Sequence, residues 1–157
     1  MRREPTVWDN RFVALAELVA SWSKDPSTKV GAVAVNFKRQ IISTGYNGFP
    51  RGFDDSPERY ADREIKYRYV LHAEQNLISN AAANGVSLTD TIVYVVGMPP
   101  CERCALELIQ SDISLIVVPE TYVILDLEEG QKNWIESWAF SIQLFNEAGI
   151  DVVTLVK

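Results

Sequence analysis

One histidine and two cysteines are all that this 157-residue chain holds of either type. All three fall in two short motifs, His72-Ala73-Glu74 and Pro99-Pro100-Cys101-Glu102-Arg103-Cys104. An imidazole and two thiolates make three ligands for a tetrahedral zinc ion, and three protein ligands leave a fourth position open to water, which is the mark of a catalytic metal. A closed structural site asks for a fourth Cys or His, and the chain has none to give. Glu74, two residues from the histidine, places a carboxylate beside that water as the natural proton carrier. Plainer readings exist for each part: a lone histidine is usually a satisfied core residue, and a lone Cys-x-x-Cys is often a redox pair. Neither accounts for the glutamate in register with the histidine and the proline directly before the first cysteine.

The rest of the composition sets bounds on that chemistry. With 47% hydrophobic and 23% charged residues, the chain reads as one globular domain over 1–157. Its apolar runs are short and interrupted, and Met1-Arg2-Arg3-Glu4-Pro5 lacks the apolar run of a signal peptide, so a cytoplasmic protein with no membrane partner is expected. Two cysteines at this spacing suit thiolate ligation in a reducing compartment better than a disulfide. A net charge of -6 argues against long nucleic acid as a partner, because phosphate binding leaves a basic footprint. A small substrate needs only a local basic pocket.

Elements must position these residues. Trp8, Phe12, Leu15, Ala16, Val19 and Trp22 recur at helical spacing, which predicts an amphipathic helix with its tryptophans in the core, ending before Lys24-Asp25-Pro26-Ser27. Val30 to Asn36 and Gln40 to Tyr46 read as a hairpin. The loop from Gly45 to Gly52 is glycine-punctuated, so a ligand can approach its backbone. Ser56-Pro57 opens a polar helix toward Tyr69, and a helix from near His72 ends at Asn84-Gly85. Thr91 to Val96 is a strand, and a helix from Cys101 sets Cys101 and Cys104 on one face of its first turn, where the helix dipole favours thiolate. A strand at Leu115 to Val118, a helix over Gln131 to Ala148 and a strand over Asp151 to Val156 complete the pattern. The order predicts a three-layer α/β/α sandwich around a mixed five-stranded sheet with helices on both faces.

The spacing H-x-E followed by P-C-x-x-C is similar to that of zinc-dependent nucleobase deaminases. Three further stretches, Ser23 to Val33, Gly45 to Gly52 and Lys66 to Glu74, resemble the deoxycytidylate (dCMP) deaminase family, and the resemblance covers nearly the whole chain in the right order. It implies a cytidine-deaminase-like fold, one zinc per subunit, hydrolysis of dCMP to dUMP and ammonia for dTMP synthesis, and a homo-oligomer, usually a hexamer. Activation by dCTP with Mg2+ and inhibition by dTTP are known in several members. By position, His72, Cys101 and Cys104 hold zinc, and Glu74 moves protons from water to the ring N3 and to the leaving amine. Helix N-terminal amides near Ala73 and Cys101, with Pro100, meet the base. Asn47 holds the sugar hydroxyl. Tyr122 either stacks on the base or packs the pocket wall. Lys29, Arg51 or a basic residue before His72 holds the phosphate. Lys24, Asp25, Gly48, Gly52 and Asp55 are implied at the effector site, although Asp54 and Asp55 also read as a solvated loop.

Two residues depart from the family pattern: Leu77 follows Asn76 where alanine is frequent, and Leu106 stands where lysine is frequent. Both are expected near the pocket. Rival readings are a deaminase of dCTP or of a 5-substituted dCMP, an RNA-editing adenosine deaminase, and a nucleotide-sensing subunit that keeps zinc as a scaffold. The acidic charge disfavours the RNA enzyme, and an intact Glu74 disfavours the scaffold.

Overall fold

The computed structural model describes residues 1–123 and 132–156. Helix α1 (Val7–Ala20) begins with a reciprocal cap: the Thr6 hydroxyl accepts from the Asp9 amide, and the Asp9 carboxylate accepts from the Thr6 amide. This satisfies two amides that the first helical turn leaves without partners. The chain then forms a hairpin of β2 (Gly31–Val35) and β3 (Ile41–Tyr46). Two short helices follow, α2 (Pro57–Ala61) and α3 (Arg63–Tyr69), and then α4 (Ala73–Asn84), β4 (Ile92–Val96), α5 (Glu102–Gln110), β5 (Leu115–Pro119), α6 (Lys132–Glu147) and β6 (Asp151–Leu155).

These strands, with a two-residue β1 (Arg2–Arg3), make one sheet in the order β1-β6-β5-β4-β2-β3. β2 is antiparallel to both β3 and β4, whereas β4, β5, β6 and β1 run parallel. The parallel strands are covered on both faces, as expected when crossover helices pack on each side. Alternate side chains divide the core in two: Val33, Val35, Tyr94, Val96 and Val117 meet Phe12, Ala16 and Val19 of α1. Ala32, Ala34, Val93, Val95 and Ile116 face Leu77 of α4, Leu108 of α5 and Phe145 of α6. The three-layer arrangement is therefore the one the element order implied.

Several details differ from the sequence reading. The sheet has six strands rather than five, because β1 is too short to show an alternation and is held through main-chain bonds from Thr154 N to Met1 O (2.8 Å) and Val156 N to Arg3 O (3.0 Å). The polar helix toward Tyr69 is two helices. Asp62 breaks it with an extended ψ of 103° and caps the second piece, its carboxylate accepting from the Glu64 and Ile65 amides. Trp22 is not core: it is 53% exposed and meets Tyr46 edge-on, and Trp8 is half-buried between the guanidiniums of Arg11 and Arg39. The expected start of the last helix at Gln131 lies outside the described residues.

Gly45 serves packing rather than ligand approach. A Cβ there would collide with the Ala73 carbonyl and the Leu77 amide, so the absence of a side chain lets α4 lie directly on β3. That contact fixes the height of the helix whose first turn carries Ala73 and Glu74, next to His72.

Candidate active site

His72 and Cys101 occupy equivalent places, each the N-cap residue of a helix, α4 for one and α5 for the other. The His72 amide is held by the Gln75 side-chain oxygen at 2.9 Å, which orients the turn. This brings His72 Nδ1 to 3.5 Å from Cys101 Sγ and 3.3 Å from Cys104 Sγ, with all three donor atoms within 4.8 Å of one another. Bonds of about 2.0–2.1 Å to nitrogen and 2.3 Å to sulfur around a tetrahedral zinc put nitrogen and sulfur about 3.5 Å apart. The donor set and its spacing therefore fit zinc.

A hydrogen bond from Cys104, opposed by burial and aided by His72, holds Cys101 down at about 4, and the same pairing pushes Cys104 far up. The hydrogen bond with Cys101 also raises His72. A dication taking these donors displaces those protons. Glu74 is 3% exposed, and burial pushes its carboxyl up to about 7 while the charge of His72 pulls it the other way. A carboxyl group poised near neutrality is suited both to accept and to deliver a proton.

A cavity of about 600 Å³ opens over this cluster. His72, Ala73, Glu74 and Cys101 form its floor, and Asn47 and Thr28 line one side. The volume is within the range of small-molecule sites. Two tyrosines of the polar helices, Tyr60 and Tyr67, and the basic residues Arg63 and Lys66 form part of the rim. Lys66 is largely buried, and its ammonium lies 3.0 Å from Asp25 Oδ1. Asp25 also accepts from the Ser27 and Thr28 amides at 2.8 and 3.2 Å.

Asn47 ties the two loops together. Its Oδ1 accepts from the Val30 amide at 2.9 Å and its Nδ2 donates to the Thr28 carbonyl at 2.8 Å. One acceptor lone pair of Oδ1 is left for a ligand.

Not every residue expected at the site is there. Lys29 is exposed outside the cavity, and Arg51 reaches across the surface to Asn80 Oδ1 at 3.0 Å. Of the basic candidates, those preceding His72 are the ones the fold brings in. Tyr122 packs against both core clusters and donates to Glu17 Oε1 at 2.8 Å, away from the cavity wall. Pro100 is buried, with its carbonyl bonded to Ser141, and of the pair Pro99-Pro100 it is Pro99 that lines the cavity. Leu77 points into the core and Leu106 is 44% exposed, so neither departure from the family pattern borders the cavity.

The residues implied as an effector group have different surroundings. Asp25 lies on the cavity wall. Lys24 and Asp55 form an exposed ion pair at 2.8 Å, Gly48 bridges to Leu71, and Gly52 adopts φ 83° in open space. Asp54 is spent on the Ser56 amide.

Trp134 and Met98 are cavity residues that sequence reasoning missed. The Trp134 ring lies 6.3 Å from that of His72, tilted by 39°. Its position depends on how α6 packs, which no local motif encodes.

Residues 6–120 match the model of the cytidine and deoxycytidylate deaminase zinc-binding region. Among similar proteins, an uncharacterized deaminase encoded in the luxG 3' region of Aliivibrio fischeri is 42% identical over 148 residues, 94% of this chain and 93% of that protein. The human deoxycytidylate deaminase is 39% identical over 115 residues, 70% of this chain and 63% of the human enzyme. The apo dCMP deaminase of cyanophage S-TIM5 superposes with a TM-score of 0.70 over 98% of this chain and 100% of its own, at 22% identity, which shows the shared fold. No described helix is long and apolar enough to cross a membrane. With the motif, the zinc-fitting donors and the fold in agreement, the chain belongs to the cytidine and deoxycytidylate deaminase zinc-binding family.

Proposed function

We propose that this chain is a zinc-dependent hydrolase that converts dCMP to dUMP and ammonia. The observation that carries the proposal is the convergence of His72, Cys101 and Cys104 at zinc-ligand spacing beneath a cavity whose floor also holds the buried Glu74. The named deoxycytidylate deaminases among its relatives, and a cyanophage dCMP deaminase of the same fold described in complex with dCMP and dUMP, support the choice of nucleotide.

His72, Cys101 and Cys104 are the zinc ligands in this reading. Zinc held there supplies a positive charge that acidifies a bound water toward neutrality and favours the ionised form of Glu74. Glu74 takes a proton from the attacking water and passes it to ring N3 as oxygen adds to C4. It then takes the remaining proton from the oxygen now on C4 and delivers it to the exocyclic amine; the C4–N bond breaks as the C4 carbonyl forms, and ammonia leaves the uracil product. The main chain at Ala73 orients the base edge, and Trp134 offers an aromatic wall. Asn47 accepts from the sugar hydroxyl through its remaining lone pair. Lys66 and Arg63 meet the 5′-phosphate, with Lys66 turning from Asp25 toward the larger negative charge.

The remaining parts of the proposal concern assembly and control. Exposed Leu18, Trp22 and Tyr46 support a homo-oligomer, taken as a hexamer in a cytoplasmic setting and measurable by light scattering. Activation by dCTP with Mg2+ and inhibition by dTTP act through the Lys24–Asp55 region and the loop at Gly48 and Gly52. Sigmoidal dCMP kinetics made hyperbolic by dCTP is the expected result, and kinetics indifferent to both triphosphates removes regulation from the account.

Ammonia release and the ultraviolet change from zinc-loaded protein offered dCMP, dCTP, deoxycytidine and CMP separately test the assignment. The expected order places dCMP first. Preference for dCTP keeps the chemistry and reassigns the phosphate pocket, and no turnover of any cytosine nucleotide overturns the proposal.

A further inference from the structure

The matched family region stops at residue 120, yet the metal-binding turn is braced from beyond it. Helix α6 presents Ser137 and Ser141, one turn apart, to the loop that carries Cys101. Ser141 is fully buried, and its hydroxyl lies 2.9 Å from the Pro100 carbonyl and 2.8 Å from the carbonyl of Ser137. Ser137, half-buried, accepts from the Glu102 amide at 3.1 Å. The two hydroxyls thus hold the peptide groups on either side of Cys101.

The chemistry of the loop explains why outside help is needed. Cys101 occupies the N-cap position of α5, where a Ser, Thr, Asp or Asn side chain would ordinarily satisfy a free amide of the first turn. Its sulfur is directed instead at His72 Nδ1, and it makes no capping hydrogen bond. Ser137 satisfies a different free amide, that of Glu102 at the first helical position, which an N-cap side chain does not serve. Pro100 is buried, and the Ser141 hydroxyl, whose one hydrogen is shared with the Ser137 carbonyl a turn back, donates to its carbonyl.

We infer that Ser137 and Ser141 are positioning residues for the metal site, fixing the Cys101 main chain so that its sulfur stays within reach of zinc. The inference rests on His72, Cys101 and Cys104 holding zinc, and it is independent of which nucleotide is turned over. Groups that orient metal ligands from behind commonly change metal affinity by 10- to 100-fold when removed.

The test is the rate at which purified, zinc-loaded protein gives up its metal to an excess of a coloured chelator. Ser137→Ala and Ser141→Ala are each expected to release zinc roughly 10-fold faster than the unmodified protein. Ser137→Thr, which keeps the hydroxyl, is expected to release it at the original rate. Val19→Ala, which opens a cavity beneath α1 on the opposite face of the sheet, gives the release caused by general destabilisation alone. If Ser141→Ala does not fold, Ser137→Ala decides the matter, since it leaves no buried cavity. Release from the serine variants that is no faster than from Val19→Ala overturns the inference. Unmodified protein that binds no zinc overturns the metal assignment itself and the brace with it.

Discussion

In the proposed function, Lys66 and Trp134 carry separable parts of substrate recognition. Lys66 is held in the cavity by Asp25, and its removal deletes a charge-assisted contact to a phosphate worth about 1.5–3 kcal/mol. Lys66→Met is therefore expected to lower kcat/KM for dCMP by roughly 10- to 100-fold, mainly through KM, and to leave turnover of deoxycytidine unchanged. Equal losses with both substrates would place Lys66 in folding rather than in phosphate binding. Trp134→Ala removes an aromatic wall and is expected to weaken dCMP and deoxycytidine alike, by about 1–2 kcal/mol, because both carry the same base. Comparing the two variants across both substrates separates base from phosphate contacts. The cluster of His72, Cys101 and Cys104 beside Glu74 was legible in the sequence because metal-assisted chemistry requires those residue types at that spacing. The cation proposed for the phosphate was not legible there, since any of several cations satisfies a phosphate and only the packing of α3 against the Ser23 to Val30 loop brings Lys66 to the cavity. Tyr122 was drawn toward the base by resemblance, and its bond to Glu17 turns it to the other side.

Among the elements, α4 is fixed along its face and at both ends. It lies on β3 through Gly45, it is capped by Gly85 in the left-handed conformation at φ 67°, and its start is joined to the glycine loop by the Gly48–Leu71 bridge. Gly45→Val forces a side chain into the α4 main chain, and a loss of about 3 kcal/mol or more is expected, with the zinc site displaced as well. Chemical denaturation and zinc content measure the two effects, and a Gly45→Val protein of native stability would contradict the close approach. The hydrophobic spacing exposed most of these elements to a reader of the sequence. It placed α1, the hairpin, α4, β4, α5, β5 and β6 to within a few residues, since each buries a regular face. It joined α2 to α3 because both are polar, so no apolar period marks the break at Asp62. It omitted β1 because two residues cannot display a period. Trp22 continues the α1 spacing beyond the end of that helix, which is why an exposed side chain was read as core.

The fold as a whole is closed at its amino-terminal edge by a buried polar cluster. Arg3 pairs with Asp9 at 2.5 Å, and Asp9 also accepts from Thr6 and from the Tyr94 hydroxyl at 2.8 Å, linking β1, α1 and β4. Burial pushes the Asp9 carboxyl up, but the hydrogen bonds from Arg3, Thr6 and Tyr94 outweigh it and hold the group well below the usual carboxylate range. A carboxyl lowered on folding stabilises the protein above its unfolded value of about 3.9, and that stabilisation is lost as the pH falls through the folded value. Asp9→Asn is expected to cost roughly 2–3 kcal/mol near pH 7, with the deficit shrinking below about pH 4. Melting temperatures of both proteins across that range check it, and a deficit that stays constant into acid would mean that the ion pair contributes little. The cluster lies on the α1 face of the sheet, opposite the helices that carry the proposed zinc ligands, so this loss of stability is expected to be separate from catalysis.

The most direct measurement is zinc content and dCMP turnover of Glu74→Gln, determined on the same sample beside the unmodified protein. The amide keeps the size of the side chain and removes its capacity to carry a proton. One zinc per chain in both proteins, with dCMP turnover reduced about 100- to 10,000-fold in the variant, is the predicted result. A Glu74→Gln protein that keeps its zinc and deaminates dCMP at the original rate would contradict the account.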